Sequence, residues 1–241
     1  MPAETTIEWA THSWNPTRGC SRVSAGCEHC YAEALAARFS KPGQWGHGFA
    51  EMRHGRPRWT GRVALQPQLL GWPLGSRKGG RRIFVNSTSD LFHEALPDES
   101  IAAVWGVMAA CPGDDFLILT KRAERMRRWF EWLMGEGALT DGSVAGDCGV
   151  YSIRASVSLP ISVLASIDAP WPLPNVHVGV SVEDQATADE RIPHLRACPA
   201  AVRWISLEPQ LEDVRLDLDR ISWVVCGSES GPRSCSIGVI Q

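Results

Sequence analysis

Apolar residues along this chain fall into short continuous runs, separated by polar and Gly/Pro-rich segments. Six runs read as strands, at residues 5–9, 83–87, 116–120, 176–182, 201–207 and 221–226. Most are apolar throughout instead of alternating. Strands buried on both faces have this pattern, and they belong to parallel sheets covered by helices. Helical stretches lie between them, at 31–39, from 98 to about 110, at 121–134 and at 184–196. Pro97, Asp98 and Glu99 suit a helix start, and Cys111-Pro112-Gly113 a helix end. The alternation predicts an α/β fold, either a barrel or a doubly wound sheet. No GxGxxG follows a strand, which weakens a dinucleotide-binding reading. Segments near 40–80 and 135–175 are rich in Gly with Pro, Arg or Ser. They read as irregular insertions in a single domain spanning 1–241, with a short helix or strand expected at 156–167.

Polar residues gather where the apolar runs end. Asn86, Ser87 and Asp90 follow the second run, and Lys121 and Arg122 the third. Ser181 and Glu183 close the fourth, Glu208 follows the fifth, and Gly227, Ser228 and Glu229 follow the last. In α/β barrels the active site is built from this end of several strands. Strands must also exit into polar loops, and Ser and Asp cap helices. Five such ends in one chain favour a shared site.

Composition narrows the class. The chain has 241 residues, 44% hydrophobic and 21% charged, which excludes disorder. A net charge of −3 forces neither nucleic-acid nor membrane binding. No apolar run approaches the ~20 residues of a membrane span. The first residues carry no signal-peptide pattern. The expectation is a cytoplasmic protein with reduced thiols, in which eight cysteines are not a disulfide scaffold.

Three of those cysteines cluster as C-x6-C-x2-C at Cys20, Cys27 and Cys30, between a strand and a helix. Gly19 and Gly26 each precede a cysteine, and Arg18 and Arg22 stand where they would lower thiolate pKa values. Three ligands are one short of a closed zinc site or a four-cysteine cluster. Either a remote fourth ligand completes the set, or one metal position is open. Three unligated structural cysteines are the bland alternative. His29 reads as solvent- or site-facing, and the five scattered cysteines as packing residues. The seven histidines show no ligand spacing and there is no HExxH, which argues against a zinc hydrolase. Arg56, Arg58, Trp59, Arg62, Arg77, Lys78, Arg81 and Arg82 mix cations with aromatics as nucleic-acid surfaces do. A solvated loop with core-anchoring tryptophans accounts for them more simply.

The flanks of the cluster, NPTRGC and CEHCYA, resemble those of radical SAM enzymes, although the first gap is x6 where x3 is usual. The whole chain is more closely similar to a phage-associated, radical-SAM-like family of unknown function. The shared series is WNPTRGC, then NSTSDLFH from Asn86, LTKR from Leu119, VGVSVEDQATADERIPHL from Val178, SLEP from Ser206 and VCGSESGP from Val225. Ser228 replaces a usual glycine, and the segment up to Gln241 reads as a truncated or frameshifted terminus. The resemblance implies a partial (β/α)6 TIM-like barrel of the radical SAM type. Cys20, Cys27 and Cys30 would hold a 4Fe–4S cluster that reductively cleaves S-adenosylmethionine, served by an electron donor. Asn86, Ser87, Asp90, Ser181, Glu183, Glu208, Gly227, Ser228 and Glu229 would border the cofactor. Lys121, Arg122 and His93 would meet an unknown substrate, with nucleic acid one candidate and no membrane involved. The rival expectation is a non-enzymatic metal-binding or nucleic-acid-associated protein.

Overall fold

The structure, a computed structural model, describes residues 3–75, 79–135 and 170–227. Its centre is a seven-stranded sheet. β1 (Ala3–Glu4) pairs antiparallel with β2 (His12–Trp14). From β2 onward the sheet is parallel: β7 (Arg82–Val85), β8 (Asp115–Thr120), β9 (Val176–Val182), β10 (Val202–Leu207) and β11 (Trp223–Cys226). Six strands are therefore parallel, as the unbroken apolar runs require. Between β2 and β7 lie β3 (Thr17–Arg18), α1 (Tyr31–Arg38), β4 (Ala50–Arg53), β5 (Arg56–Trp59), β6 (Ala64–Leu65) and α2 (Pro67–Leu70). The longer helices are α3 (Asp98–Ala109), α4 (Ala123–Gly135) and α5 (Gln185–Ala197).

The spatial order of the parallel strands follows the chain without reversal. A doubly wound sheet reverses once and so carries helices on both faces. Here the order does not reverse, and α3, α4 and α5 pack into one buried cluster on a single face of the sheet. Side-chain parity agrees. Ile83, Val85, Phe116, Ile118, Val178, Val180, Ile205 and Leu207 share one buried cluster with Ile101, Val104, Met126, Trp129 and Ile192 of the helices. The alternate positions Phe84, Leu117 and Trp204 point the other way and lie outside that cluster.

That second face is concave. The Trp9 ring lies 4.6 Å from Phe84 of β7 and 5.0 Å from Trp204 of β10. Those strands are three apart, about 14 Å across a flat sheet. One indole reaches both only if the sheet curls around it. Trp204 also stacks on Trp223 at 4.3 Å, and it occupies the space over Gly179, where a Cβ would come within 2.4 Å of its ring. Glycine is required there for close approach.

Several expectations shift. Residues 5–9 are not a strand. They form a turn, closed by Ala10 N–H donating to the Ile7 carbonyl at 3.1 Å, and Trp9 faces the interior. The first parallel strand is the shorter β2, anchored by the buried Trp14, whose indole N–H donates to the Leu69 carbonyl at 2.8 Å. Lys121 and Arg122 precede α4 instead of opening it. Asp184 is the N-cap of α5, reciprocally bonded with Thr187 in a capping box. Residues 40–80 are less irregular than their composition suggests, because they hold the β4–β5 hairpin, β6 and α2. The expectation for 156–167 lies outside the described residues. No helix among the described residues is long and apolar enough to cross a membrane.

Candidate active site at the carboxyl edge

The carboxyl ends of the parallel strands open into a cavity of about 490 Å³. The three clustered cysteines line it, together with Asn86, Ser87, Asp90, Lys121, Arg122, Ser181 and Glu208. Phe84 and Trp9 form its floor. Residue parity explains the arrangement. On the inner face, aromatic Trp204 is followed two residues later by Ser206, and Gly179 by Ser181, so polar groups stand above an apolar layer.

The cysteine loop is fastened at three places. The first is Glu183, fully buried at the end of β9. Its carboxylate accepts from Ser24 Oγ at 2.8 Å and Gly26 N–H at 3.1 Å, pairs with Lys121 Nζ, and lies 3.5 Å from Arg191. Burial works to raise its pKa, but Lys121, Ser24 and Arg191 outweigh it and hold the carboxyl below its ordinary value. Gly26 is needed because a Cβ there would fall 2.5 Å from the carboxylate carbon.

The second fastening is Arg122, also buried. It donates to Asp90 at 3.1 Å, Glu94 at 2.9 Å, and the Ser21 carbonyl and hydroxyl at 2.9 Å. Cys20 Sγ lies 3.7 Å away. Burial opposes its charge, yet Asp90, Cys20 and Glu94 raise its pKa overall. Asp90 is itself saturated, accepting from Thr120 Oγ1, the Phe92 and Lys121 amides and Arg122. The third is Glu33 of α1, buried, which pairs with Arg22 and accepts from the Trp59 N–H at 2.9 Å.

Two sequence expectations change here. Arg18 and Arg22 do not activate Cys20 or Cys30. Burial, reinforced by Asp90, pushes Cys20 up to about 12, against the pull of Arg122, and burial also raises Cys30. Arg22 is committed to Glu33. His93 does not line the cavity. Its Nδ1 accepts from the Ala95 N–H at 3.1 Å, so Nε2 carries the proton and donates to Ser21 Oγ at 2.9 Å. Burial and Arg122 lower its pKa, which keeps the ring neutral. His93 thus braces the residue after Cys20.

Glu183 and Gly227 likewise stand behind the cavity wall. Gly227 leaves room for Glu208, whose Oε1 would lie 2.4 Å from a Cβ there. Ser228 and Glu229 lie outside the described residues. Asn86 takes a left-handed φ of 62°, donates to Thr17 Oγ1 at 2.5 Å, and leaves its buried Oδ1 without a partner among the described residues. Cys226, read from sequence as a packing residue, also lines the cavity. Its place as the last residue of the final apolar run, at the carboxyl edge, was the available signal. Tyr31 was missed too. Its ring is half exposed, but its hydroxyl turns inward onto the Ser87 carbonyl, and that enclosure pushes its pKa up to about 12.

Among the described residues, no three His, Cys, Asp or Glu groups are already gathered as a metal centre. The donor chemistry nevertheless fits a thiolate-held group. Cys20, Cys27 and Cys30 are free thiols on one cavity, Arg122 stands beside one of them, and the orphaned Asn86 oxygen lies in the same wall. Thiols with raised pKa values release protons when a metal binds.

A family model described as "Protein of unknown function (DUF5131)" matches residues 4–238. No curated protein and no solved structure matches the chain.

Proposed function

The chain belongs to this family of unknown function, and within it we propose a radical SAM iron–sulfur protein acting on a substrate not yet identified. The observation that carries the reading is the convergence of three free thiols with the polar ends of parallel strands on one cavity. Supporting it are six parallel strands in unbroken order, curved around Trp9. A partial (β/α)6 barrel requires both. The motif series from WNPTRGC to VCGSESGP supports a place beside the phage-associated radical-SAM-like proteins.

In this reading Cys20, Cys27 and Cys30 hold a 4Fe–4S cluster. When bound, such a cluster supplies the electron for reductive cleavage of S-adenosylmethionine, and an external donor supplies that electron in turn. The residues of the chain do the positioning. Glu183, Arg122 and Glu33 fix the loop that carries the thiols. Glu208, Ser181, Ser206 and Asn86 offer polar groups for a ligand held across the strand ends. Trp9 and Phe84, backed by Trp204, close the floor against water. Lys121 is tied to Glu183 and so acts through the loop. Cytoplasmic location, where thiols stay reduced, belongs to the same reading.

Anaerobic reconstitution tests it. Brown protein with about four irons and four sulfides per chain is expected, and S-adenosylmethionine should be cleaved upon reduction. The Cys27→Ala variant should lose the colour. Zinc bound without sulfide would overturn the reading in favour of a plain metal-binding protein.

A further inference from the structure

The β4–β5 hairpin carries a charge arrangement that folding alone does not explain. Arg53 and Arg56 are Cα partners directly opposite each other at its tip. Like charges so placed are destabilising. Between them His54 and Gly55 take left-handed φ values of 50° and 73°, forming a two-residue turn. All four residues are exposed, and neither arginine has an ion pair among the described residues. The chain as a whole is acidic, at −3, so this is a local basic point on a negative molecule.

The hairpin is also built into the site. Its last residue, Trp59, lines the cavity beside Tyr31. The Trp59 amide is held by Glu33, which pairs with Arg22 of the cysteine loop. α1 packs against both strands, with Ala36, Ala37 and Ala50 as the small residues of that contact. The hairpin therefore cannot swing independently of the cysteine loop. From Arg56 to Trp59 the strand rises about 10 Å, roughly three stacked nucleotides.

We infer that the β4–β5 hairpin is a nucleic-acid-binding arm that delivers a single strand to the cavity. Arg53 and Arg56 contact phosphates, and Trp59 and Tyr31 offer aromatic faces to bases at the mouth. Cations beside aromatics are what single strands need, because phosphates supply charge and every base has a face to stack. As an assignment of substrate class, this rests on the radical SAM reading. As a binding surface it does not.

The test is fluorescence anisotropy of the full chain with a short, labelled single-stranded oligonucleotide across a salt titration. Wild type should bind with a marked salt dependence. Arg53→Gln/Arg56→Gln removes two phosphate contacts, so its log–log salt slope should shrink by about 1.4. The tip is exposed and self-repelling, so the same variant should melt no lower than wild type, which separates lost binding from lost fold. A Trp59→Leu variant should weaken binding without changing the salt slope. Absence of binding by wild type, or an unchanged slope in the double variant, overturns the inference. So does equal competition by poly-glutamate, which would mark a surface for acidic protein. Iron and sulfide are measured on the same samples, with Cys27→Ala alongside. If the cluster reading fails alone, all samples lack iron and the slope difference persists. If the hairpin fails alone, iron is present and the slopes coincide.

Discussion

The two faces of the central sheet are made by alternate residues of the same strands, yet they do different work. On the outer face Ile83, Val85, Phe116, Ile118, Val180 and Ile205 pack against helices in one apolar cluster. On the inner face the residues between them grade from Phe84 at the floor, with Trp204 packed behind Trp9, to Asn86, Ser181 and Ser206 at the carboxyl edge. A period of two lets one strand carry a core and a site together. The outer face holds the helices to the sheet by apolar burial, with the indole N–H groups of Trp14 and Trp129 bonded to backbone carbonyls. The inner edge holds its loop by charge, through Glu183 and Arg122.

The sharpest way to break this division is Phe116→Ala. Phe116 is fully buried on the outer face, with its ring 5.9 Å from Trp14. The loss should be about 3–5 kcal/mol, read by chemical denaturation. A loss under about 1 kcal/mol would show that the outer face is not the main source of stability.

Next comes Glu183→Gln, which keeps the shape and removes the charge facing Lys121 and Arg191. Stripping a partner from a buried ion pair costs about 3–5 kcal/mol, and the retained amide should reduce this to about 2–3. The buried Cys27 should also react faster with a thiol reagent, since the loop is released. Unchanged reactivity would mean that the carboxylate stabilises without latching.

Gly179→Ala should cost about 1–3 kcal/mol by overpacking Trp204. Near-ultraviolet circular dichroism, which reads the tryptophan floor, should change while far-ultraviolet signals persist. Identical near-ultraviolet spectra would contradict the close contact at the floor.

The smallest effect compares the two edges of the sheet by pH. Asp114, at the amino edge, accepts from Arg81 at 2.5 Å and from its amide at 3.0 Å. Burial works to raise its pKa, but Arg81 outweighs it and the value falls below 3.8. A depressed carboxyl contributes stability that is complete above its unfolded value and is lost as pH falls through the native one. Glu183 at the other edge has the same sign. Acid titration of stability should therefore flatten partly in Asp114→Asn and partly in Glu183→Gln. A curve unchanged by Asp114→Asn would remove the amino-edge pair from the account.

Sequence patterns went far on the outer face. Five of the six expected strands appear within about two residues, because a run buried on both sides has few alternative placements. The exception, 5–9, is instructive. Trp9 is apolar because it fills the concavity, not because its backbone pairs. Composition could not separate those causes. The same limit applied to charged residues near the thiols. Arg18 and Arg22 are near the cysteines in sequence, but Arg122, far along the chain, is the cation beside Cys20.

By itself, the sequence determined the α/β class, the parallel strands, the cysteine spacing and the collection of polar residues at strand ends. These depend on local periodicity and order, which a chain carries with it. Only the tertiary structure decided which polar residues face the cavity and which brace it. Glu183 and His93 were expected to meet ligands and instead hold the loop, since their partners Ser24, Gly26 and Ser21 come from distant segments. Such pairings are settled by curvature and register, when a sheet rolls its carboxyl edge around one loop.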